Sequence, residues 1–380
     1  MTTTTTTTTT TDDELMAAAI DAAVVARAAA PPWPSVGCVL TRDGVIVGRG
    51  ATGGFPVGPH AEVAALAEAG DRARGATAYT TLEPCDHDGN TPPCTRALID
   101  AGVARVVVGV VDPDAKVAGR GLDRLRAAGI EVSVGVGADG VEHYLAPYLH
   151  HRRTGRAFAY LKTAMSLDGR TAAADGTSQW ITSPEARADA HRLRAESHAV
   201  LVGPHTAVAD APSLTARDVP LGPWGQPIRV LLDGKGRVPV AGPLADPSLA
   251  PTVVYATAAM PAATVAAWSE AGATVTVVGG GDDGRGVDLD AVLVDLAATH
   301  RVFQVLVEGG GRLHGAFVAE GRADRLVTYV APVVLGERGR SVVATPGPET
   351  LADATRWRVV DVAPLGPDVR ITYAPIRAAA

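Results

Sequence analysis

The sequence predicts two consecutive α/β domains, and three observations lead to this prediction. The chain has 380 residues, whereas one domain usually takes about 100–200. Short apolar segments alternate with segments of helical character along the chain, as in α/β folds. A polar segment over residues 150–155 (HHRRTG) interrupts this alternation. We therefore expect a first domain over residues 14–150, a boundary at about 148–157 and a second domain over 157–380.

The composition excludes several classes of protein. Hydrophobic residues make up 47% of the chain and charged residues 20%, which excludes a disordered chain. The net charge of −7 argues against a surface for nucleic acids. No apolar run reaches the roughly 18–20 residues that span a membrane. Three cysteines are too few for a disulfide framework, so we expect a cytoplasmic protein. From the charge and the apolar runs, we expect it to bind neither nucleic acids nor membranes.

The first domain is preceded by a threonine tract. Residues 2–11 are all threonine, without the basic and apolar regions of a secretory signal. We expect residues 1–13 to form a disordered tail. Asp12 and Asp13 favour a helix start, because carboxylates complement the N-terminal end of a helix dipole. The helix is predicted over residues 14–29 and is ended by Pro31 and Pro32.

The remainder of the first domain alternates strands and helices. Asp43-Gly44 lies between two apolar runs, which is a hairpin signal. Residues 106–111 form a nearly continuous apolar strand, as expected where both faces of a sheet are covered, so the domain is predicted to have three layers. The predicted strands are 36–40, 45–47, 76–82, 106–111 and 131–136, and the predicted helices are 59–69, 93–101 and 122–128.

The second domain is predicted to be another α/β unit, with no internal repeat. Its apolar runs have the length of strands, and the segments between them have helical character. The predicted strands are 159–165, 170–174, 199–202, 228–232, 274–278, 303–307 and 326–330, and the predicted helices are 184–196, 261–271, 289–299 and 313–320.

Histidine and cysteine residues of the first domain have the composition of a zinc site. His60 opens one predicted helix, Cys85 follows a strand and Cys94 opens another helix. A catalytic zinc site takes three protein ligands and keeps one position open for water. Both cysteines lie near a helix N-terminus, where the dipole favours the thiolate. Glu62 follows His60 by two residues, so its carboxylate can carry the proton of the bound water without being a ligand.

Two other interpretations of these residues stay open. The cysteines could be unmetallated thiols in a core. Alternatively the zinc could be structural, in which case a fourth ligand is needed and His87 is a candidate. Cys38 lies in the middle of an apolar strand, so we expect it to be a small buried residue.

The spacing of the two cysteines points to one family. Zinc deaminases carry H-x-E with a later P-C-x-x-C, whereas eight residues separate Cys85 from Cys94. The segment 81–94 (TLEPCDHDGNTPPC) closely resembles the deaminase half of the bifunctional riboflavin-biosynthesis deaminase/reductases. That family carries Pro-Cys-x-His-x-Gly-x-Thr-Pro-Pro-Cys. Residues 59–63, 112–113 and 118–121 also match its pattern.

The resemblance implies a fold, a ligand set and an activity for this half. The first domain is expected to be cytidine-deaminase-like, with His60, Cys85 and Cys94 as zinc ligands and Glu62 as the proton donor and acceptor. The implied substrate is a small pyrimidine ribotide, 2,5-diamino-6-ribosylamino-4(3H)-pyrimidinone 5′-phosphate. It would lose its ring 2-amino group as ammonia.

A glycine-rich turn is the main motif of the second domain. Residues 306–313 (LVEGGGRL) have the pattern of a strand, a turn and a helix. Backbone N–H groups at such a helix N-terminus can bind phosphate, although a plain tight turn has the same pattern. Several segments resemble the reductase half of the same family: 161–170 (LKTAMSLDGR), 179–181, 193–195, 203–206 and 214–217.

This second resemblance implies a dihydrofolate-reductase-like domain that uses NADPH. It would reduce the ribosyl side chain to ribityl and give 5-amino-6-(5-phosphoribitylamino)uracil. Arg194 and Arg217 can bind a phosphate through forked hydrogen bonds, and Lys162 is either a surface residue or a polar group near the reacting centre. The implied NADPH contacts are Ala164, Trp180, Thr206, Asp210, Gly234, Gly310, Gly311, Arg312, Leu313, His314, Gly315 and Ala316. The implied substrate contacts are Ser178, Arg194, Leu214, Arg217 and Glu308.

The chain departs from the family pattern at a few positions. Trp33 stands where many members have asparagine, Thr52 near a common histidine and Asn90 where a basic residue is common. His205 replaces a usual glycine, and Ala211 replaces a second aspartate.

Two alternative functions stay open. One is a deaminase of nucleic-acid bases, against which the acidic charge balance and the long inter-cysteine segment argue. The other is a non-catalytic binding protein on a degraded enzyme fold, against which the presence of Glu62 argues. We expect the protein to be a homo-oligomer.

Overall fold

A computed structural model describes residues 11–27, 30, 33–54, 58–88, 92–222, 224–281 and 286–376. These residues form two compact units. The first comprises the described residues up to Thr154, with Gly222 and Trp224, and the second comprises those from Gly155 to Leu221 and from Gly225 onward. Each unit has its own main sheet and its own hydrophobic core. Within the described residues, no helix combines the length and apolar character needed to cross a bilayer.

The first unit is built on a five-stranded sheet in the order β2-β1-β3-β4-β5. Strand β1 is antiparallel to β2 and β3, and β3, β4 and β5 are parallel. The strands are β1 (Gly37–Arg42), β2 (Val45–Ala51), β3 (Thr77–Leu82), β4 (Arg105–Val110) and β5 (Glu131–Val134). The helices are α1 (Asp12–Val25), α2 (Ala61–Ala69), α3 (Cys94–Asp100), α4 (Arg120–Ala127), α5 (Ala138–Tyr144) and α6 (Ala146–Thr154), with a 3₁₀ turn at Gly70–Ala73.

Helices cover both faces of this sheet, so the predicted three layers are confirmed. Successive residues of a strand point to opposite faces. A Cβ at Gly37 would meet Ala19 of α1, whereas Cys38 packs with Ala61 and Ala65 of α2. Cys38 is fully buried, as the sequence predicted.

Helix α1 begins earlier than the sequence predicted, at Asp12 rather than at residue 14. The reason is a capping box. The Glu14 backbone N–H donates to the Thr11 hydroxyl oxygen (3.2 Å), and the Thr11 N–H donates to the Glu14 carboxylate (2.8 Å). Asp12 and Asp13 therefore belong to the helix and not to a tail, while residues 1–10 lie outside the described residues. The helix ends at Val25, before the predicted residue 29.

Two glycines of β2 allow helix α2 to lie directly on the sheet. A Cβ at Gly48 would be 2.3 Å from the carbonyl oxygen of Ala65, and one at Gly50 would be 2.1 Å from that of Ala61. No other residue fits at such a close approach of two backbones. The position of the first turn of α2, which carries Glu62, is therefore fixed against the sheet.

The second unit is built on a nine-stranded sheet in the order β11-β10-β9-β8-β12-β6-β13-β16-β15. The first seven strands in this order, from β11 to β13, are parallel to their neighbours. Strand β16 is antiparallel to both β13 and β15. The main-sheet strands are β6 (Phe158–Ser166), β8 (Ala199–Val202), β9 (Ile228–Leu232), β10 (Thr252–Ala256), β11 (Thr274–Val277), β12 (Gln304–Val307), β13 (Arg325–Ala331), β15 (Trp357–Leu365) and β16 (Asp368–Pro375); β7 (Arg170–Ala172) and β14 (Arg340–Ser341) form a separate pair. The helices are α7 (Pro184–Ala195), α8 (Pro204–Asp210), α9 (Ala262–Glu270), α10 (Leu289–Ala298) and α11 (Gly311–Ala319), with 3₁₀ turns at Pro243–Ala245 and Leu351–Asp353.

Two predictions about this part of the chain are wrong. The polar segment 150–155 is not a link outside the regular elements, because helix α6 continues to Thr154 and carries His151, Arg152 and Arg153 in its last turn, where cations suit the helix dipole. The predicted strand 170–174 stops at Ala172 and pairs with β14 outside the main sheet. Trp268 of helix α9 is fully buried in the core.

Candidate functional site

The structure brings His60, Cys85 and Cys94 of the first unit together. The Nδ1 atom of His60 lies 3.6 Å from the Cys85 sulfur and 3.2 Å from the Cys94 sulfur. All three ligand atoms lie within 4.8 Å of one another, and no fourth His, Cys, Asp or Glu joins them among the described residues. His87, the candidate fourth ligand, is exposed, and its Nδ1 lies 3.5 Å from the Asp88 carbonyl oxygen.

Three separate elements supply these side chains. His60 is the N-cap of α2 and Cys94 is the first residue of α3, while Cys85 lies in the loop after β3. The Cys85 loop is held on α3, because the Thr95 N–H donates to the Cys85 carbonyl (3.2 Å) and the Thr95 hydroxyl donates to Asp86 (2.5 Å). The Cys94 N–H donates to the Cys85 sulfur (3.5 Å).

The spacing and the charge state of this group fit zinc. Tetrahedral Zn–N and Zn–S bonds of normal length place an imidazole nitrogen about 3.6 Å from a thiolate sulfur, close to the separations seen. Hydrogen bonding from Cys94 opposes the effect of burial and lowers the pKa of Cys85 to about 4. The same hydrogen bond between the two cysteine side chains, together with burial, raises the pKa of Cys94. A bound cation would favour the thiolate form of both cysteines.

Glu62 lies beside this group without belonging to it. Its side chain is buried, with 3% of the residue exposed. Burial, followed by the charge of Cys85, raises the pKa of Glu62, while a hydrogen bond with Cys94 lowers it. A buried carboxylate next to a three-ligand group suits proton transfer near neutral pH.

The departures from the family pattern have different positions in this unit. The Trp33 indole lies edge-on to the His60 imidazole, with 6.1 Å between ring centroids, so this substitution is at the site. Thr52 is buried and structural, because its hydroxyl donates to the Pro34 carbonyl (3.0 Å) and accepts the Val36 N–H (2.9 Å). Asn90 lies outside the described residues.

Sequence reasoning missed Glu83, which supports the Cys85 loop. Its buried carboxylate accepts backbone N–H groups of Asp112 (3.3 Å), Gly119 (3.0 Å), Gly121 (3.0 Å) and Leu122 (3.4 Å). These bonds join the segment before Cys85 to the start of α4. No sequence motif predicts these hydrogen bonds, because the four partners of Glu83 are 29 to 39 residues away along the chain.

In the second unit, the predicted residues gather at one edge of the sheet. Strands β9, β8, β12 and β6 are adjacent and parallel, so their carboxyl ends lie side by side. Open α/β sheets bind ligands at this edge. The residues at or just beyond these ends are Ala164, Thr206, Gly234, Glu308 and Gly310.

A largely buried charge cluster occupies this edge. The Arg194 guanidinium donates to Glu308 from two nitrogens, one at 2.8 Å, and to the Thr215 carbonyl at 3.0 Å. The Lys162 ammonium lies 3.9 Å from Glu308. Burial alone would raise the pKa of Glu308, but Arg194 and Lys162 hold it at about 2. Lys162, left undecided by the sequence, is thus a largely buried group that pairs with Glu308, and burial lowers its pKa.

The glycines of the turn after β12 have two different roles. A Cβ at Gly310 would face open space, with Thr206 Oγ1 as its nearest neighbour at 4.0 Å. Gly310 is the N-cap of α11, so this opening at a helix N-terminus can receive a phosphate. Gly311 and Gly315 instead face the chain itself: a Cβ there would lie 2.4 Å from the Ser341 carbonyl oxygen and 2.3 Å from the Ala344 carbonyl oxygen.

Other predicted contacts are not all available through their side chains. Leu214 is 1% exposed in the core, and the buried His314 ring has Nε2 at 3.3 Å from the Val307 carbonyl oxygen. Only their backbones can face a ligand. Arg217 is exposed and donates to Ser213 (2.9 Å). Ser178 and Trp180 are exposed, and the Arg187 guanidinium lies 4.4 Å from the Trp180 ring centroid. Asp210 is the exposed last residue of α8. The remaining predicted cofactor contacts lie on α11: Arg312, Leu313 and Ala316.

The fold and these two sites define a zinc-dependent deaminase followed by an α/β reductase. The family model for the cytidine and deoxycytidylate deaminase zinc-binding region matches residues 9–110, and that for the RibD C-terminal domain matches residues 157–371. The chain belongs to the RibD family of bifunctional riboflavin-biosynthesis deaminase/reductases. The predicted fold class and family are thereby confirmed, and the family's cofactors are zinc and NADPH.

Relatives match along most of the chain. The riboflavin biosynthesis protein RibD of Escherichia coli (strain K12) is 42% identical over 359 residues, 89% of this chain and 92% of its own. The Mycobacterium tuberculosis protein of that name is 41% identical over 346 residues, which cover 90% of this chain and 91% of its own. The solved structure of Acinetobacter baumannii RibD is 37% identical with a TM-score of 0.84, over 96% of this chain and 99% of that one. A Thermotoga maritima diaminohydroxyphosphoribosylaminopyrimidine deaminase/5-amino-6-(5-phosphoribosylamino)uracil reductase has 30% identity and a TM-score of 0.80, with the same coverage.

Proposed function

We propose that the two units catalyse consecutive steps of riboflavin biosynthesis. The first removes the 2-amino group of 2,5-diamino-6-ribosylamino-4(3H)-pyrimidinone 5′-phosphate, and the second reduces the ribosyl side chain to ribityl. The observation that carries the proposal is the group of His60, Cys85 and Cys94 with the buried Glu62 beside it. A site that only held a metal would need no such carboxylate.

In the deaminase unit, His60, Cys85 and Cys94 would hold zinc, which supplies the Lewis acidity that makes water nucleophilic near neutral pH. Glu62 takes a proton from the attacking water and delivers one to the departing amino group. The amino group leaves as ammonia, and a carbonyl replaces it. Trp33, which lies against His60, limits the space on that side of the ring.

In the reductase unit, the opening between Gly310 and Thr206 would receive a phosphate of NADPH, which supplies the hydride. Lys162 and Arg194 together carry two positive charges against the one negative charge of Glu308. This surplus at the carboxyl edge suits an anionic ribotide. The exposed Arg217 side chain would bind its phosphate by charge-assisted hydrogen bonds.

The test is one assay of the purified chain with the diaminopyrimidine ribotide. Ammonia release and NADPH oxidation are followed separately, with and without a zinc chelator. We expect chelation to abolish ammonia release and to leave NADPH oxidation intact when the deaminated ribotide is supplied. Ammonia release that survives complete removal of the metal would contradict the proposed deaminase mechanism.

Three further expectations stay predictions. The enzyme is proposed to act in the cytoplasm, where its three free cysteines would stay reduced. It is proposed to be a homo-oligomer, which light scattering after gel filtration would test. A nucleic-acid substrate is disfavoured by the net charge of −7, and labelled tRNA or single-stranded DNA should not bind.

A further inference from the structure

The segment of residues 333–345, here called the strap, lies against the turn that follows β6. The Leu167 N–H donates to the Val333 carbonyl (2.8 Å), and the Val342 N–H donates to the Gly169 carbonyl (3.1 Å). Strand β14, within the strap, pairs with β7. This turn belongs to the SLDGR segment of residues 166–170, for which the proposed reaction gives no role.

The other side of the strap lies on the first turns of α11. The Ala344 N–H donates to the Gly311 carbonyl (2.9 Å). Because any side chain at Gly311 or Gly315 would collide with strap carbonyl groups, the strap and α11 are in direct backbone contact. Gly310, the open N-cap proposed to receive the cofactor's phosphate, is the next residue toward the N-terminus.

Asp168 joins the turn to the strap. One of its carboxylate oxygens accepts the Ser166 hydroxyl (2.6 Å) and the Leu335 N–H (3.1 Å), and the other accepts the Gly336 N–H (2.7 Å). These three bonds, led by that from Ser166, lower the pKa of Asp168 to about 2, so the carboxylate is ionised at neutral pH.

Apart from these backbone hydrogen bonds and the short β14–β7 pair, the strap has few buried apolar contacts to hold it in place. Val333 is 37% exposed and Val334 is 67% exposed. Of residues 335–343, all of which the structure describes, Gly339 alone is buried. A segment with few buried apolar contacts opens at low cost unless polar contacts hold it. The carboxylate of Asp168 provides such contacts at the end of the strap that does not touch α11.

We propose that Asp168 is a positioning residue of the reductase site, which holds the strap against α11 so that the Gly310–Gly311 backbone keeps the shape that binds a cofactor phosphate. The inference rests on the proposed reductase function. It assigns no contact between Asp168 and the cofactor.

The experiment compares Asp168→Asn and Asp168→Ala with the wild-type full-length chain. Asparagine keeps one acceptor oxygen and alanine keeps none, so the effect should increase in that order. We expect the Kd and KM for NADPH to rise, on the order of tenfold for Asp168→Ala, with kcat at saturating NADPH and the KM for the ribotide nearly unchanged. Amide hydrogen exchange should show faster exchange of Val342 and Ala344, with the amides of β8 and β12 still protected.

Two further variants make the result specific. Asp246→Asn is the matched control, because exposed Asp246 likewise accepts a serine hydroxyl (Ser248, 2.6 Å) and a backbone N–H (2.9 Å) but touches no strap residue. It should leave NADPH binding unchanged. Gly339→Ala, whose Cβ would lie 2.8 Å from Arg170 Cγ and 3.0 Å from the Ala172 carbonyl oxygen, should lift the strap and reproduce the Asp168 effect. Deaminase activity is an internal control in every variant.

The outcomes separate this inference from the proposed function. If wild-type protein binds NADPH and Asp168→Ala binds it equally tightly, the role of Asp168 is wrong. Unchanged exchange at Val342 and Ala344 would also overturn it. If the wild-type chain neither binds nor oxidises NADPH, the reductase function itself fails, and this inference fails with it.

Discussion

At the scale of single residues, the two sites use buried charge in opposite ways. Burial raises the pKa of Glu62, which makes its carboxylate easier to protonate. Glu308 is largely buried, but Arg194 and Lys162 keep it ionised. The first arrangement suits a group that must gain and lose a proton. The second suits a fixed charge that orients other groups.

The ion pairing of Glu308 gives a prediction about acid stability. Its pKa of about 2 lies below the ordinary value of 4.5. A lowered folded-state pKa contributes stability that is present above about pH 4.5 and is lost as the pH falls toward 2. Glu308→Gln should therefore cost on the order of 3 kcal/mol in the free energy of unfolding at pH 6. The deficit relative to wild type should shrink between pH 4.5 and 3.

Urea unfolding of wild type and variant at pH 6, 4.5 and 3.5 measures this difference. Glutamine resembles the protonated glutamic acid, so the two proteins should converge as acid is added. A deficit that stays constant over this range would show that the carboxylate charge does not stabilise the fold.

At the scale of elements, the sequence predicted most of the buried strands well and the β16–β15 edge of the second sheet poorly, and it also missed the fully buried strand β10. Strands β8 and β9 agree to the residue, because β8 is a continuous apolar run and β9 is apolar except for Arg229. Strands β15 and β16 were missed, since they lie at the sheet edge and mix charged, proline and exposed valine residues. Helices α5 and α6 were missed because their polar sequence resembles a linker.

The prediction of site residues from the sequence is limited in the same way: local motifs are found, and long-range contacts are not. His60, Glu62, Cys85 and Cys94 were predictable, since their residue types and spacing are specific for the chemistry. The pairing of Arg194 with Glu308 was not, because 114 residues separate them and only the fold brings them together. The same holds for the carboxylate of Glu83.

The close packing of α2 on β2 gives a prediction at this scale. A methyl group at Gly50 would lie 2.1 Å from the Ala61 carbonyl oxygen and must displace the start of α2. Gly50→Ala should lower the free energy of unfolding by about 1–3 kcal/mol and reduce ammonia release, without affecting NADPH oxidation. Denaturant unfolding and the two assays measure these effects.

Gly140→Ala is the matched control for this change. Its Cβ would meet the flexible end of Ile20 alone, at 3.1 Å, inside helix α5. It should be neutral or slightly stabilising, because alanine favours helices over glycine. Equal effects of the two substitutions would mean that the α2–β2 approach does not govern the deaminase site.

At the scale of the whole molecule, each unit carries its own sheet, core and site. A change in one site should therefore leave the chemistry of the other intact. This separation makes each activity the control for the other in every experiment above. It also means that one substrate can be followed through two distinguishable reactions of a single chain.

The most direct measurement is the zinc content of Glu62→Gln, taken together with its ammonia release. Glu62 lies beside His60, Cys85 and Cys94 without being one of the three, so the variant should retain one zinc per chain. Its deaminase kcat should fall by about 10²–10⁴-fold, the usual contribution of a proton-transfer group, while NADPH oxidation continues. Full ammonia release from the variant, or loss of its zinc, would contradict the role assigned to this carboxylate.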